Sequence, residues 1–164
     1  MSDTGAETND GSLTITEIVD ADVAQIISLW EAAGLTRPWN DPERDIAFAR
    51  AATDSTVLVG RQNGAITACA MAGHDGHRGT VYYLGVSPAA QGHGLGRQMM
   101  DAVEGWLRAR GVWKINLMVR EDNTAVAGFY DALGYTREPR AVFSRVIEQE
   151  DARTSAQSSP KSEN

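Results

Sequence analysis

Cysteine, long apolar runs and positive charge are all scarce in this chain. The 164 residues include one cysteine, Cys69, which excludes an internal disulfide and is typical of a cytoplasmic protein. No apolar run approaches the roughly 20 residues that a membrane helix needs. The beginning of the chain, MSDTGAETNDG, has neither a basic nor an apolar segment, so we expect no signal peptide. These scarcities predict a cytoplasmic protein with no membrane partner.

The charge balance is acidic, and part of the excess lies at the two ends. Lys and Arg together number 15, against 22 Asp and Glu, so the formal net charge is −7 at pH 7. Residues 1–12 carry −3 and residues 149–164 carry −1, which leaves the middle close to neutral. Binding to duplex nucleic acid requires clustered Lys and Arg that neutralise phosphates, so we expect no nucleic-acid partner.

The two ends also differ from the rest of the chain in composition. Segments 1–12 and 149–164 are polar and have almost nothing to bury, so we predict a disordered tail on each side of a single domain at 13–148. Hydrophobic residues make up 42% of the chain, an ordinary share for a globular protein with one core.

Between the ends, strand-like and helix-like patterns alternate. Runs of β-branched and aromatic residues predict strands, and apolar residues at helical spacing, such as Val23, Ile26 and Trp30, predict helices. Asn63 and Gly64 predict a hairpin, because both residues tolerate a positive φ. The predicted strands are 13–19, 56–60, 65–73, 80–86, 114–120 and 141–147, and the predicted helices are 21–33, 42–52, 95–110 and 124–133. This order predicts an α/β fold in which a mixed sheet carries helices on its faces.

A glycine-rich turn follows the strand predicted at 80–86. The sequence SPAAQGHGLGR leads from that strand into the next helix, and its three glycines allow the backbone to come close to a ligand. The free N–H groups and the positive dipole end of the helix then form an anion site that suits a pyrophosphate, to which Arg97 can add a charge. Taken alone, the same turn is also consistent with a plain helix start.

Two other phosphate-binding motifs fit this turn poorly. A P-loop needs Gly-Lys-Ser/Thr, whereas Gly96 is followed here by Arg97 and Gln98. A dinucleotide fingerprint needs G-x-G-x-x-G directly after the strand, but this turn reads G-x-G-x-G and begins after SPAAQ. Glu121 and Asp122 follow the next strand, as the dinucleotide motif requires. The glycine spacing nevertheless argues against it.

Two stretches resemble a known family. VSPAAQGHGLGR at 86–97 resembles motif A of the GNAT acetyltransferases, and NTAVAGFYDALGY at 123–135 resembles the motif that follows it. The resemblance covers about 13–148, and RPWNDPERDI and GHDGHRGTVYYLGV are further similar to a small bacterial member of the family. It implies the GNAT fold, a mixed and mostly antiparallel sheet with a splayed central strand pair and helices on both faces. It also implies an N-acetyltransferase that uses acetyl-CoA as co-substrate and no metal.

The resemblance also implies which residues bind acetyl-CoA. The backbone at the end of the central strand would pair with the amides of the pantetheine arm, the glycine-rich turn would cradle the pyrophosphate, and Asn123 would bond the arm from the opposite side. Asn123 is equally a plain helix cap, and the two roles are compatible. The implied cofactor-binding residues are Leu84, Gly85, Val86, Gln91, Gly92, His93, Gly94, Leu95, Gly96, Arg97 and Asn123.

The same resemblance implies that Tyr130 is the catalytic acid. A phenol with a pKa of about 10 stays protonated at neutral pH and can protonate a thiolate that leaves beside it. Without the resemblance, Tyr130 is better explained as a core aromatic, because it shares an apolar stripe with Val126, Phe129 and Leu133.

The sequence does not identify a general base. Relatives that acetylate protein N-termini often carry a Glu in the segment L-E-V-R, but Met118 stands at that position here and cannot accept a proton. An amine with a pKa of about 8–10 can instead lose its proton through a water relay. The other candidates are Tyr82 and Tyr83 in the central strand, His74, Asp75 and His77 in one turn, and Asp41 and Asp45 near the first helices.

Several alternatives stay open at this point. The turn with two histidines has no distant fourth ligand, so we expect no metal site. Trp39 is a candidate for the wall of an acceptor groove or simply for the edge of the core. We expect acetyl transfer to a small-molecule or peptide amine in a ternary complex. The alternatives are acetylation of a protein N-terminus or lysine, and a non-catalytic acyl-CoA-binding regulatory module. A homodimer is compatible with all three.

Overall fold

A computed structural model describes residues 11–147 of the chain. The predicted tails lie almost entirely outside the described residues, so the predicted domain limits at 13 and 148 stay predictions. The strands are β1 Thr14–Glu17, β2 Ser55–Gln62, β3 Ala65–His74 and β4 Gly79–Val86; the helices are α1 Val23–Ala32, α2 Pro42–Ala51, α3 Leu95–Arg108 and α4 Thr124–Ala132. Short 3-10 turns at Asp20–Asp22 and Pro88–Ala90 precede α1 and α3. No helix among these residues is long and apolar enough to cross a membrane.

The four strands form one antiparallel sheet in the order β1-β2-β3-β4. The turn between β2 and β3 is the predicted hairpin, with Asn63 at φ 49° and Gly64 at φ 81°. Two consecutive residues with positive φ give a turn whose twist matches the twist of the two strands. The local pattern Asn-Gly therefore sets the register of the two central strands.

Helices cover both faces of this sheet. Neighbouring residues of a strand point to opposite faces, so Leu58 packs with α3 while Val57 and Val59 pack with α1 and α2. The α3 face also includes Tyr130 of α4, and the α1/α2 face includes the fully buried Trp30. The core is thus divided by the sheet into two layers, as the alternating pattern predicts.

Side chains and prolines define where the helices begin. Asp41 precedes α2, and its Oδ1 accepts a hydrogen bond from the Arg44 N–H at 3.1 Å, while Pro42 opens the helix as the sequence predicts. Asn123 precedes α4 and accepts from the Val126 N–H at 3.2 Å. Both capping side chains satisfy N–H groups that the first turn of a helix leaves free.

Glycines at the two ends of β4 allow the layers to approach the strand. A Cβ at Gly79 would lie 2.8 Å from Cδ1 of Leu107 in α3. A Cβ at Gly85 would lie 2.8 Å from Cδ1 of Leu35 and 3.1 Å from Cδ2 of Leu29 in α1. Real Cβ atoms essentially never come within 3.0 Å of another heavy atom, so a side chain at either position would force these leucine side chains to shift.

The strand predicted at 114–120 was wrong, because this segment is reduced to a single bridge. This segment forms one parallel bridge to β4, in which the Gly79 N–H donates to the Lys114 carbonyl and the Asn116 N–H donates to the Gly79 carbonyl, both at 2.9 Å. Beyond that bridge the described structure shows no further ladder between the two segments. β-propensity makes a chain extended, but a strand exists only where a neighbouring backbone runs alongside it.

The strand predicted at 141–147 was also wrong. These residues belong to none of the strands within the part of the chain that the structure describes. Their large apolar side chains are exposed, namely Val142, Phe143, Val146 and Ile147. Alternation of residue types predicts a half-buried strand, but it does not supply the partner against which that strand would be buried.

A buried ion pair joins the start of α1 to the sheet. The Arg61 guanidinium donates to Asp22 Oδ1 at 2.6 Å and to Thr16 Oγ1 at 2.8 Å. Asp22 is buried, and its Oδ2 accepts from the Val19 N–H at 3.0 Å. The hydrogen bond from Arg61 is the main cause that lowers the pKa of the Asp22 carboxyl below its usual value.

We predict that Arg61→Met destabilises the protein by about 2–3 kcal/mol at pH 7, because it leaves a buried carboxylate without its cation. Because the pKa of Asp22 is lowered in the folded state, the carboxylate is stabilising above its unfolded pKa, and this contribution is lost as the pH falls through the folded pKa. The deficit measured by urea unfolding should therefore shrink from pH 5 towards pH 2.

The matched control is Arg50→Met. Arg50 pairs with Asp20 at 2.6 Å, but the Asp20 side chain is 92% exposed, so solvent screens the pair and its loss should matter far less. Equal effects of the two substitutions, or a deficit that does not depend on pH, would contradict the assignment of Asp22 as a buried, paired carboxylate.

Candidate active site

In the part of the chain that the structure describes, the backbones of β4 and segment 114–120 are hydrogen-bonded only where β4 begins. The two backbones meet at Gly79, where β4 begins, and share no further bridge among the described residues. On its other edge β4 is paired with β3 as far as Val86. The end of β4 at 84–86 therefore has an edge along which an extended ligand with amide groups can bind.

A β-bulge lies immediately before this edge. Cys69 pairs with Gly85, and Met71 pairs with Tyr82. Tyr83 and Leu84 therefore lie opposite the single residue between Cys69 and Met71. Tyr83 has φ 50°, a left-handed conformation that is rare for an aromatic residue and costs about 1–3 kcal/mol. Bulges of this kind occur near active sites, where they redirect backbone groups and side chains.

The glycine-rich turn ends at an uncapped helix. Gly92 has φ 81° and Gly94 has φ 76°, and a Cβ at either residue would meet nothing within 4 Å. Gly94 directly precedes α3, and within residues 11–147 no side chain caps the first turn of this helix. Free N–H groups beside open space can hold an anion such as a phosphate group.

The third glycine of the turn has a different role. A Cβ at Gly96 would lie 3.2 Å from both Cε2 and Cζ of the Phe129 ring, so Gly96 lets α4 pack against the first turn of α3. Tyr130 follows Phe129, and their rings meet edge to face with centroids 5.1 Å apart. The close packing at Gly96 therefore anchors Tyr130 next to the start of α3.

The Tyr130 hydroxyl suits a proton donor. Its side chain is 8% exposed, and burial raises its pKa to about 12. No protein group among the described residues hydrogen-bonds this hydroxyl, whereas the neighbouring Tyr135 hydroxyl donates to Glu104 Oε1 at 2.9 Å. Tyr130 is thus both part of the α3 face of the core, as its apolar stripe predicts, and a phenol whose proton is uncommitted.

Other residues of the predicted cofactor site make contacts within the protein. The Arg97 guanidinium donates to the Ala132 carbonyl at 3.3 Å, at the end of α4. Gln91 Nε2 donates to the Val86 carbonyl at 3.2 Å, and His93 Nδ1 lies 3.3 Å from the Ala90 carbonyl.

These contacts leave the cofactor roles as predictions. Leu95 is a buried core residue that can offer only its backbone, and Asn123 is confirmed as a helix cap.

The turn with two histidines is held by its own backbone. Asp75 Oδ1 accepts from the N–H groups of His77 at 2.8 Å and Arg78 at 2.7 Å, and His74 Nδ1 accepts from the Gly76 N–H at 3.2 Å. These backbone hydrogen bonds lower the pKa of Asp75. No group of three or more His, Cys, Asp or Glu residues suited to a metal occurs in the described part of the chain.

Sequence reasoning missed a contact between β4 and the beginning of α2. The Tyr83 hydroxyl donates to Asp45 Oδ2 at 2.6 Å and accepts from Asn40 Nδ2 at 2.9 Å. The Tyr83 ring stacks on Trp30, with centroids 3.8 Å apart and planes 6° from parallel. Tyr83 and Asp45 are separated by 38 positions, and no local pattern in the sequence links them.

Comparison with known proteins settles the family. The profile of the acetyltransferase (GNAT) family matches residues 24–135. The chain belongs to this family. An acetyltransferase of Yersinia enterocolitica is 42% identical to this GNAT protein over 132 residues, which are 79% of the chain and 94% of the relative. The resemblance drawn from the two motifs is confirmed, and the protein is an acetyltransferase.

Two solved structures share the GNAT fold. The aminoglycoside acetyltransferase AAC(6')-Iy, in complex with a bisubstrate analogue of CoA and acetylneamine, superposes with a TM-score of 0.71 at 18% identity, covering 82% of this chain and 98% of that chain. The ribosomal-protein-S18-alanine N-acetyltransferase of Escherichia coli superposes with a TM-score of 0.61 at 24% identity, covering 74% of this chain and 76% of that chain. The predicted fold class is therefore confirmed.

Two alanine substitutions in α3 should distinguish a glycine against which another side chain packs from a glycine with open space beside it. Gly105 lies inside the helix with nothing within 4 Å of a Cβ, so Gly105→Ala should stabilise the protein by about 0.5–1 kcal/mol. Gly96→Ala should show no such gain, because its methyl group must displace the Phe129 ring. The measurement is the midpoint of urea unfolding. Equal gains would show that Phe129 moves aside freely and does not anchor α4.

Proposed function

We propose that this GNAT protein transfers an acetyl group from acetyl-CoA directly to a primary amine in a ternary complex. The observation that supports the proposal is the packing of Phe129 against Gly96 at the start of α3, because Tyr130 follows Phe129 in α4 and no side chain among the described residues caps that helix start. The helix start suits the phosphates of the donor, and the phenol suits its leaving sulfur.

The proposed binding mode assigns each part of the donor to a structural element. The N–H groups from Gly92 to Arg97 would hold the pyrophosphate, and the free edge of β4 at 84–86 would pair with the amides of the pantetheine arm. Asn123 would reach the arm from α4. Acetyl-CoA supplies the acetyl group as a thioester. The CoA-derived ligand of AAC(6')-Iy supports this assignment because that protein has the same fold.

Tyr130 would complete the transfer as a general acid. As the amine nitrogen bonds to the acetyl carbon and the carbon–sulfur bond breaks, the phenol gives its proton to the departing sulfur. The surplus proton of the amine passes to water, and water returns a proton to the phenolate. The raised pKa of Tyr130, about 12, keeps the phenol protonated between turnovers at neutral pH.

We favour a small-molecule amine over a protein N-terminus as acceptor. Met118 is 55% exposed and stands where relatives that acetylate protein N-termini often carry a glutamate. The likeness to an aminoglycoside acetyltransferase supports the same choice. A panel of polyamines, aminoglycosides, amino acids and peptides, followed by free-thiol release from acetyl-CoA, tests the acceptor class. If only the peptides are acetylated, the result would favour a protein N-terminus as the acceptor.

The cytoplasm is our proposed location for this chemistry. Cys69 is the single cysteine of the chain, and it is buried and unpaired. A lone free thiol is typical of a reducing compartment.

The first prediction from this mechanism concerns Gly94. Gly94→Ala should weaken acetyl-CoA binding at least about tenfold, or 1.4 kcal/mol, because the methyl group strains the left-handed conformation and occupies the open space beside the turn. Gly105→Ala, the same change in an exposed part of α3, should leave the affinity unaltered. Calorimetry on the folded variants provides the measurement, and an unchanged Kd for Gly94→Ala would refute the cradle.

The second prediction concerns the acid. Tyr130→Phe keeps the ring but removes the proton donor, so the Kd of acetyl-CoA should hardly change while kcat falls by roughly 10²–10⁴. A donor thioester with a more acidic thiol should reduce this loss, since a better leaving group needs less protonation. Tyr135→Phe is the control, because its hydroxyl is bonded to Glu104 and should not affect kcat.

Two outcomes would contradict this account. If Tyr130→Phe turns over as fast as the parent, Tyr130 is a core aromatic only. If neither protein turns over with any acceptor although both bind acetyl-CoA, the protein is an acyl-CoA-binding regulatory module.

A further inference from the structure

Tyr83 is fixed from two sides in its unusual conformation. Its ring stacks on Trp30, whose Nε1–H points to the Cys69 sulfur at 3.1 Å in the neighbouring strand. Its hydroxyl is engaged twice, donating to Asp45 and accepting from Asn40. The ring contacts belong to the buried core, whereas both hydrogen bonds reach outwards to the segment that ends in the first turn of α2.

The two phenols near the end of β4 lie on opposite faces of the sheet. Tyr130 packs in the cluster of α3, on the face of the glycine-rich turn, and Tyr83 packs in the cluster of α1 and α2. The bulge of Tyr83 and Leu84 directly precedes Gly85 and Val86. If the donor binds on the α3 face, the α1/α2 face is the one left for the amine, and segment 37–46 lies at that face through its bonds to Tyr83.

We propose that the Tyr83 hydroxyl is a positioning group for the acceptor, because it fixes segment 37–46 against the β4 bulge at the place where the amine enters. This inference rests on the proposed acetyl transfer. Tyr83 does not take part in proton transfer. It determines the distance between the segment and the end of β4, and that distance sets how the amine meets the acetyl carbon.

The chemistry of Tyr83, Asp45 and Asn40 is suited to a stable hydrogen-bonded contact between segment 37–46 and β4, which we call the tie. Burial and the neighbouring Asp45 raise the pKa of Tyr83 to about 12, so the hydroxyl keeps the proton that it donates. Asp45 is half-buried, and Asn40 offers its amide N–H to the remaining lone pair of the phenol oxygen. A hydrogen bond from a phenol to a carboxylate is stronger than one to a neutral acceptor.

The central experiment is Tyr83→Phe in the full chain. Phenylalanine retains the stacking on Trp30 but releases Asp45 and Asn40. We expect the Kd of acetyl-CoA to stay within about twofold and kcat/KM for the acceptor to fall by roughly tenfold or more, because a small misplacement of a reacting group is costly. Tyr135→Phe is the control, because it removes a hydroxyl that is bonded to Glu104 in the α3 cluster, and it should alter neither value.

Substitutions of Asp45 distinguish the effect of its hydrogen bond to Tyr83 from an effect of its negative charge. Asp45→Asn keeps an oxygen that accepts the phenol hydrogen bond and should retain most of the acceptor kcat/KM. Asp45→Ala should lose as much as Tyr83→Phe, and the double variant Tyr83→Phe/Asp45→Ala should be no worse than either single change. Additive losses, or Asp45→Asn as poor as Asp45→Ala, would overturn the proposal.

Hydrogen exchange tests the tie without any turnover. In Tyr83→Phe, the amides of segment 37–46 should exchange faster, whereas those of α3 should be unchanged. Unchanged exchange in 37–46, or an equal loss of acetyl-CoA and acceptor binding, would overturn the proposal. If the parent protein acetylates no amine at all, the proposed transfer fails, and the exchange result still decides whether Tyr83 holds this segment.

Discussion

The backbone of β4 is paired along one edge with β3 and on the other edge only at Gly79, and the arrangement of the site depends on this divergence. It is fixed by close packing at both ends of the strand, where Gly79 lets Leu107 approach and Gly85 lets Leu35 and Leu29 approach. Helices pack against β4 on both faces of the sheet, so a shift of this strand would disturb both layers of the core.

The sheet also separates two kinds of chemistry. On the α3 face, the glycine-rich turn, the free helix start and the phenol of Tyr130 suit the acyl donor. On the α1/α2 face, Tyr83 joins the bulge to a different part of the chain. The bulge connects the two faces, since Tyr83 makes the contact to α2 and the residues that follow it are the ones proposed to pair with the donor.

The sequence predicted the features that depend on neighbours along the chain. The hairpin at Asn63 and Gly64, the helix start at Pro42, the cap Asn123 and the glycine-rich turn are local patterns, and each appears where it was predicted. The strands predicted at 114–120 and 141–147 failed because residue types describe how extended a segment is and not which backbone lies beside it.

The site shows the same limit. The contacts of Arg97 with Ala132 and of Tyr83 with Asp45 join residues 35 and 38 positions apart, and they exist only once α4 and α2 have docked. The sequence could identify these residues as polar candidates. Their partners follow from tertiary packing, which no spacing rule contains.

The single thiol of the protein bears on how its catalysis can be observed. Cys69 is fully buried, and burial raises its pKa to about 12, so almost none of it is present as the nucleophilic thiolate at neutral pH. A colorimetric thiol reagent added to the folded protein therefore finds only the CoA that turnover releases. The same sulfur becomes reactive when the core opens, so its labelling rate reports unfolding in the very sample whose activity is being followed.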